Sequence, residues 1–300
     1  MELFESLFIF IKLLIRDTLS KDQSKFDKNQ AQAHYNLGNK YMETKQLDRA
    51  IDEYNKTVSY YPYHIDALVS LGIAYFHKSQ LDKAREAFKK AYSTDPRSSR
   101  AIYWVARMAL EDSNYNKAIK FFQKAIKYKS DFVEAHYYLG LTYLRKEMFE
   151  FSIEYLRKTL ELDSEWYDAY IYLGESHLKK GQIDKAIDML ENAIVVLPLC
   201  FEAQLIAGEA YFSKGDMDKA LEHATRAKEI NTNSADIHLL MWKIYKNKGL
   251  EDFEKLEKKH TIELNPKYSI IIEVHSKNKT INHEENLQIL SAMNTLKNKN

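Results

Sequence analysis

Apolar residues along most of this chain recur at helical spacing, as in Leu37 and Tyr41 and then Ile51, Tyr54 and Val58. Side chains three or four positions apart share one helix face, so both runs predict amphipathic helices. The stretch between them, Thr44-Lys45-Gln46-Leu47-Asp48, is short and mostly polar and predicts a tight turn. The same hairpin pattern then returns. A 34-residue frame beginning at Ala31 fits seven times without a gap and ends at Tyr268. A hairpin this small cannot bury its apolar face alone, so successive copies must stack into a continuous core.

The punctuating residues test the frame independently. Pro62, Pro96, Pro198 and Pro266 all fall at frame position 32, after the second helix, where proline stops propagation. Gly38, Gly72, Gly140, Gly174 and Gly208 hold position 8, where a residue without bulk lets two helices approach closely. Gly181, Gly215 and Gly249 hold position 15, where a first helix would end in the left-handed conformation. The 8 glycines and 4 prolines of the chain thus occupy three slots. Ala33, Ala67, Ala101, Ala135, Ala169 and Ala203 share position 3. Ala50, Ala84, Ala118, Ala186 and Ala220 share position 20, where Ser152 is the small substitute. Tyrosine recurs at position 11 (Tyr41, Tyr75, Tyr143, Tyr211, Tyr245), and Tyr54, Phe88 and Phe122 share position 24.

This set, with Leu at 7, Gly at 8, Tyr at 11, Ala at 20, an aromatic at 24, Ala at 27 and Pro at 32, resembles the tetratricopeptide repeat. The resemblance covers seven consecutive copies from Ala31 to Tyr268. It implies an all-α fold, a right-handed α-solenoid (superhelix) of antiparallel helix pairs whose first helices line a concave groove for peptides or protein segments. Some positions depart from the pattern. The third repeat carries Ala106 at position 8 and Ala109 at position 11, and His34, His136 and His238 stand at position 4, often Trp in the family. The seventh repeat has Trp242 at position 8, Glu254 at 20 and Lys258 at 24, which predicts a frayed terminal copy.

The expected organisation is an apolar N-terminal helix plus polar linker over 1–30, the repeats over 31–268, and a C-terminal cap with a polar tail over 269–300. Residues 3–15 hold ten apolar residues out of thirteen, too few for a transmembrane helix of about 20. They also lack the basic start and small-residue cleavage site of a signal peptide. Apolarity runs round most of that helix, so it needs cover. Docking on the first repeat or in a homo-oligomer, insertion at a membrane surface, and an atypical signal or anchor all stay open. After Pro266, Ile270-Ile271-Ile272 and Val274 suggest an eighth first helix. Asn282 with Glu285 then resembles a capping box ahead of Leu287, Leu290, Met293 and Leu296.

Charge and chemistry narrow the function. Lys plus Arg total 44 against 43 Asp plus Glu, which argues against a general nucleic-acid binder. The single Cys200 excludes a disulfide framework and a multi-cysteine zinc site, and suits a reducing, cytoplasmic setting. Glycines spent singly leave no phosphate loop. The position-4 histidines lie in non-adjacent repeats and read as packing residues. Cys200 lacks a base partner, and the regular carboxylates at position 2 are separated by whole repeats. No catalytic, cofactor-binding or metal site is expected. Lys117, Lys120, Lys124, Lys127 and Lys129 cluster on one second helix and read as a solvated face.

The resemblance places positions 2, 5, 9, 12 and 13 on the concave side. Position 5 then supplies a ladder of Tyr35, Val69, Tyr103, Tyr137, Ile171, Leu205 and Leu239; Asn39, Arg107 and Leu141 stand beside it at position 9. Asp66, Glu134, Asp168, Glu202 and Asp236 form an acidic fringe at position 2. Such a track suits a segment with apolar anchors and some basic residues. The family's code for clamping acidic chaperone tails is matched only by Asn39, with Arg100 a stand-in, among Tyr35, Asn39, Ser70, Arg100 and Trp104. The expected function is a non-enzymatic scaffold or adaptor that binds a protein segment in the groove. Two alternatives remain: an assembly factor held peripherally at a membrane by residues 3–15, and a regulatory subunit of an enzyme encoded elsewhere.

Overall fold

The computed structural model describes residues 25–277. The readings made of residues 3–15, of the linker before residue 25 and of the segment beyond residue 277 lie outside the described residues. Every regular element described is an α-helix. The chain divides into two compact halves between Met148 and Phe149. The N-terminal half contains α1 (25–43), α2 (Leu47–Tyr60), α3 (Ile65–His77), α4 (Leu81–Thr94), α5 (Ser99–Glu111), α6 (Tyr115–Tyr128) and α7 (Val133–Arg145). The C-terminal half contains α8 (Phe149–Leu162), α9 (Tyr167–Lys179), α10 (Ile183–Val196), α11 (Phe201–Lys214), α12 (Met217–Ile230), α13 (Ala235–Lys248), α14 (Glu251–Leu264) and α15 (Tyr268–Lys277). These are the helix pairs of seven repeats, stacked as in a solenoid. No described helix is long and apolar enough to cross a membrane.

Within each half every helix packs on the next, and each first helix also touches the first helix of the following repeat: α3 on α5, α5 on α7, α9 on α11, α11 on α13. That closeness is not matched between second helices, so the first helices form the inner layer of each half. Small residues permit the approach. A Cβ added at Gly72 would lie 2.4 Å from Cε1 of Phe88, and one at Gly38 would lie 2.6 Å from Cε1 of Tyr54. At Gly38, Gly72 and Gly174 the space at position 8 is filled by the position-24 side chain of the second helix; at Gly208, where position 24 is Ala224, it is filled by Leu240 of the next first helix.

The turns share one conformation. Gly181, Gly215 and Gly249 have φ of 76°, 88° and 68°, and Lys45, Ser79, Ser113 and Glu147 take 58°, 57°, 54° and 58° at the same position 15. All seven first helices thus end left-handed, in four repeats with a side chain that disfavours it. N-caps support several helix starts: the side chains of His64, Ser98, Asn114 and Asp216 each accept a backbone N–H three residues on.

A ladder of exposed ion pairs links successive repeats, with Lys180 to Glu150 at 3.2 Å, Lys214 to Asp184 at 2.8 Å and Lys248 to Asp218 at 2.5 Å. Asp112 stands where this ladder otherwise has Lys. There Arg85 bridges both carboxylates, Asp82 at 2.9 Å and Asp112 at 2.7 Å. Exposed pairs contribute little each, about 0.2–1 kcal/mol. Their worth lies in favouring one register between repeats.

The expectation of a frayed seventh repeat is corrected. Trp242 is fully buried and packs with Leu239, Tyr268, Ile271 and Ile272, so α15 closes this end. Lys258 is exposed, so the buried bulk of this repeat is at position 8 and not at position 24.

The backbone of Gly215 is open around its Cβ position, so Gly215→Ala should destabilise through conformation alone, by about 1 kcal/mol. Ser79→Gly should stabilise by roughly 0.5 kcal/mol, the left-handed strain relieved exceeding the entropy lost; urea midpoints at constant m-value check both. Acid should also destabilise. Burial pushes the imidazoles of His64 and His177 below 6.5. Burial raises the Glu53 carboxyl, but hydrogen bonds from Lys56 and His34 more than reverse this and hold it below 4.5. The unfolded chain then binds more protons than the fold, first below pH 6.5 through the histidines and again below 4.5 through Glu53. A urea midpoint that stayed level from pH 7 to pH 4 would contradict this.

Candidate functional site

The inner layer of first helices is where the sequence places a binding face. The structure redistributes its residues by depth. Val69, Tyr103, Tyr137, Ile171 and Leu239 of the position-5 ladder are buried, and only Tyr35 and Leu205 are half-exposed. Tyr103 is 6% exposed, with its ring 5.0 Å from Phe132, 5.9 Å from Phe122 and 6.0 Å from Tyr138. The apolar, Tyr-rich track expected at position 5 thus lies mostly below the surface. These side chains point into the seam between a first helix, its own second helix and the next repeat, and they form the wall beneath the face.

Position 9 lies at the surface instead. Asn39, Ile73, Arg107, Leu141, Glu175, Glu209 and Lys243 are all half-buried. Asn39 is held by the Tyr54 hydroxyl, which donates to its Oδ1 at 2.8 Å. The position-2 carboxylates Asp66, Glu134, Asp168, Glu202 and Asp236 are exposed. Three of them have partners: Arg100 lies 3.5 Å from Asp66, the Cys200 thiol donates to Glu202 at 3.6 Å, and the Tyr268 hydroxyl donates to Asp236.

In the N-terminal half, side chains from three repeats converge on Arg107 of α5. Its guanidinium carbon lies 3.8 Å from the ring centre of Tyr138 (α7) and 5.7 Å from those of Phe76 (α3) and Trp104 (α5). Nη1 donates to the Tyr103 hydroxyl at 3.3 Å, Nη2 lies 3.6 Å from Glu111, and the buried Nε has no hydrogen-bond partner. Burial drives the Tyr103 phenol well above its usual range, so it stays neutral and accepts the guanidinium hydrogen. The side chain of Arg107 is only 13% exposed. Stacked cations of this kind are held rigidly, each contact with a ring being worth about 0.5–2 kcal/mol. Ile73 packs in the same cluster as Phe76 and Trp104, and on the first helices of this half Ile73, Leu110 and Leu141 are half-exposed.

The first helices of the C-terminal half differ. Asp168, Glu175, Glu202, Glu209 and Asp236 make this face acidic, and Lys243 lies among them. Burial pushes the Lys243 amine down, opposed by Glu209 and Asp236. One face therefore offers aromatic and apolar contacts around a fixed cation, and the other offers carboxylates.

Positions 2, 5 and 9, Arg107 among them, drew the sequence reading, whereas Phe76, Trp104 and Tyr138 were not assigned to the groove. The available signal was Trp104 and Tyr138 at position 6 of adjacent repeats, with Arg107 between them at position 9. Other candidates recede. Burial pushes the Cys200 thiol up, the wrong direction for a nucleophile. Of the lysines on and just after α6, Lys124 donates to the Tyr92 hydroxyl at 2.8 Å, whereas Lys117, Lys120, Lys127 and Lys129 are exposed. A depression of about 440 Å³ between α8, α9 and α10 is bordered by Arg157, Leu173, His177 and Met189. Potential metal ligands gather in one place among the described residues, His238, Glu257 and His260, between the helices of the seventh repeat.

Family models agree with this architecture. A tetratricopeptide-repeat model matches residues 35–101 and 172–235, and a second TPR-repeat model matches 109–147. No curated protein matches the sequence. Among solved structures, PilF of Pseudomonas aeruginosa is similar with a TM-score of 0.63 and 18% identity, over 70% of this chain and 96% of its own. A tetratricopeptide repeat protein from Parabacteroides merdae gives 0.61 and 16%, over 82% of this chain and 97% of its own. YrrB, described as a TPR protein with an unusual peptide-binding site, gives 0.52 and 21%, over 61% of this chain and 95% of its own. These likenesses concern the fold.

The depth of Tyr103 has a measurable consequence. Tyr103→Ala should cost about 3–5 kcal/mol, as for a buried aromatic. Leu141→Ala, at the half-exposed face, should cost markedly less. Equal losses in urea denaturation would mean that both side chains stand at the same depth.

Proposed function

The chain belongs to the tetratricopeptide-repeat family, and from that footing we propose that it is a non-enzymatic interaction scaffold whose inner, first-helix faces bind polypeptide. The observation that carries this reading is the convergence of Phe76, Trp104, Arg107 and Tyr138 from three repeats of the N-terminal half. Rigid aromatic surface with a pre-oriented cation loses little conformational entropy on binding, and aromatic and Arg side chains dominate interface energetics. The half-exposed Ile73, Leu110 and Leu141 on the same first helices suit apolar anchors of an extended or helical segment. On the first helices of the C-terminal half, Asp168, Glu175, Glu202, Glu209 and Asp236 suit basic residues. The peptide-binding site in the description of YrrB is consistent with this use of the fold.

Site-specific photocrosslinking tests the proposal. A photoreactive residue at Ile73 or Leu141 should capture a partner that one at Lys120, on the second-helix face, does not. Arg107→Glu together with Leu141→Asp should weaken that partner at least about tenfold, the loss expected of interface anchors. A partner bound as tightly by the double variant, with its helical content intact, would remove the first-helix face from the function.

A further inference from the structure

In three repeats a polar pair bridges the first helix at position 4 and the second at position 23. His34 Nδ1 meets Glu53 Oε2 at 2.6 Å, Gln204 Oε1 meets His223 Nδ1 at 2.8 Å, and His238 Nδ1 meets Glu257 Oε2 at 2.5 Å. The seventh repeat adds a third element. Position 26 reads Lys56, Lys90, Lys124, Lys158, Asn192, Arg226 and then His260, so that a cation or an amide gives way to an imidazole. In the first repeat the position-26 lysine, Lys56, binds Glu53 Oε1 at 2.6 Å. In the seventh, Lys228 of α12 takes over that oxygen's counterpart on Glu257, at 2.9 Å, and His260 is released from the role.

We propose that His238, Glu257 and His260 form a three-ligand site for a borderline transition-metal dication of the Zn²⁺ class, joining α13 to α14. One ligand atom from each residue lies within 4.8 Å of the others. The His238 tautomer is fixed for the purpose: Nε2 lies 3.0 Å from the Thr232 carbonyl, which can only accept, so Nε2 carries the hydrogen. Nδ1 is left facing a carboxylate oxygen, and two lone pairs at 2.5 Å require a cation between or beside them. Either a proton or a metal ion meets that need. The third member decides the matter toward a metal. Nδ1 of His260 is buried without a hydrogen-bond partner, although its ring lies 5.1 Å from that of His238.

Two imidazole nitrogens and a carboxylate oxygen are a donor set suited to Zn²⁺, with the fourth tetrahedral position left to water. Metal–ligand bonds of about 2.0–2.1 Å place tetrahedral ligand atoms about 3.3 Å apart. The 2.5 Å His238–Glu257 separation must therefore widen slightly, and His260 must swing inward. The Thr232 carbonyl on His238 and the Lys228 ammonium on Glu257 Oε1 hold the two buried ligands in orientation, as outer-shell partners do. His238 and Glu257 are buried, while His260 is half-exposed and gives the ion a way in from solvent.

Co²⁺ titration of the chelator-treated full-length chain tests this, followed by visible absorption, with Zn²⁺ added in thermal melts. One equivalent of Co²⁺ should give tetrahedral d–d bands that Zn²⁺ abolishes, and Zn²⁺ should raise Tm. His260→Lys recreates the arrangement the first repeat has with Lys56, and it should fold with unchanged circular dichroism. It should lose the bands and the Zn²⁺-dependent gain in Tm, with metal affinity down at least about tenfold. Absence of the d–d bands in the wild-type chain would overturn the site and leave a proton shared by His238 and Glu257; so would bands that survive in His260→Lys, which would place the metal at other histidines.

Discussion

The contact between position 8 of a first helix and the position-24 side chain of its partner, made at Gly38, Gly72 and Gly174, governs the rest of the structure. Where Gly72 faces the Phe88 ring, a methyl group would sit at 2.4 Å, so the ring occupies the space that a side chain would need. This distance sets how closely two helices of one repeat can lie, and their separation sets where the next repeat lands. The pattern tolerates exchange only in compensated form. Ala106 faces the same way in the third repeat, and in the seventh the bulk moves to Trp242 while Lys258 leaves the core.

A second layer of constraint is polar. Each buried pair at positions 4 and 23 replaces part of the apolar seam by a hydrogen bond that must be satisfied, since a lone buried donor or acceptor costs about 1–3 kcal/mol. Such pairs add little net stability, but they penalise a shifted register strongly. The exposed Lys-to-carboxylate ladder between repeats acts in the same sense with weaker individual terms. Arg85, which bridges Asp82 and Asp112 where the lysine is missing, shows that the register and not a particular residue is maintained.

Function rests on what this packing leaves at the surface. Close first helices bring side chains from neighbouring repeats within reach of one another, which is how Phe76, Arg107 and Tyr138 meet although each belongs to a different hairpin. The same closeness sinks position 5 into the wall. A stack of identical hairpins thus presents an aromatic, cationic face in the N-terminal half and a carboxylate face in the C-terminal half, with no change in architecture.

The 34-residue period, the hairpin in each copy and the small residue at the close approach were all legible in the sequence, because each depends on residue size and spacing within a few turns of helix. Left-handed turns at Gly181, Gly215 and Gly249 were legible for the same reason, whereas Lys45, Ser79, Ser113 and Glu147 adopt that conformation with no mark in their residue type. Depth was not legible. Whether Tyr103 is an anchor or a wall depends on rings at Phe122, Phe132 and Tyr138, which the stacking of successive hairpins brings to it. Histidines compared from repeat to repeat looked too far apart to act together, yet His238 meets Glu257 and His260 within one repeat, across its hairpin. Local pattern fixes the helices; only the angle and spacing at which they pack decide which side chains meet, because that geometry is a sum over contacts between successive hairpins.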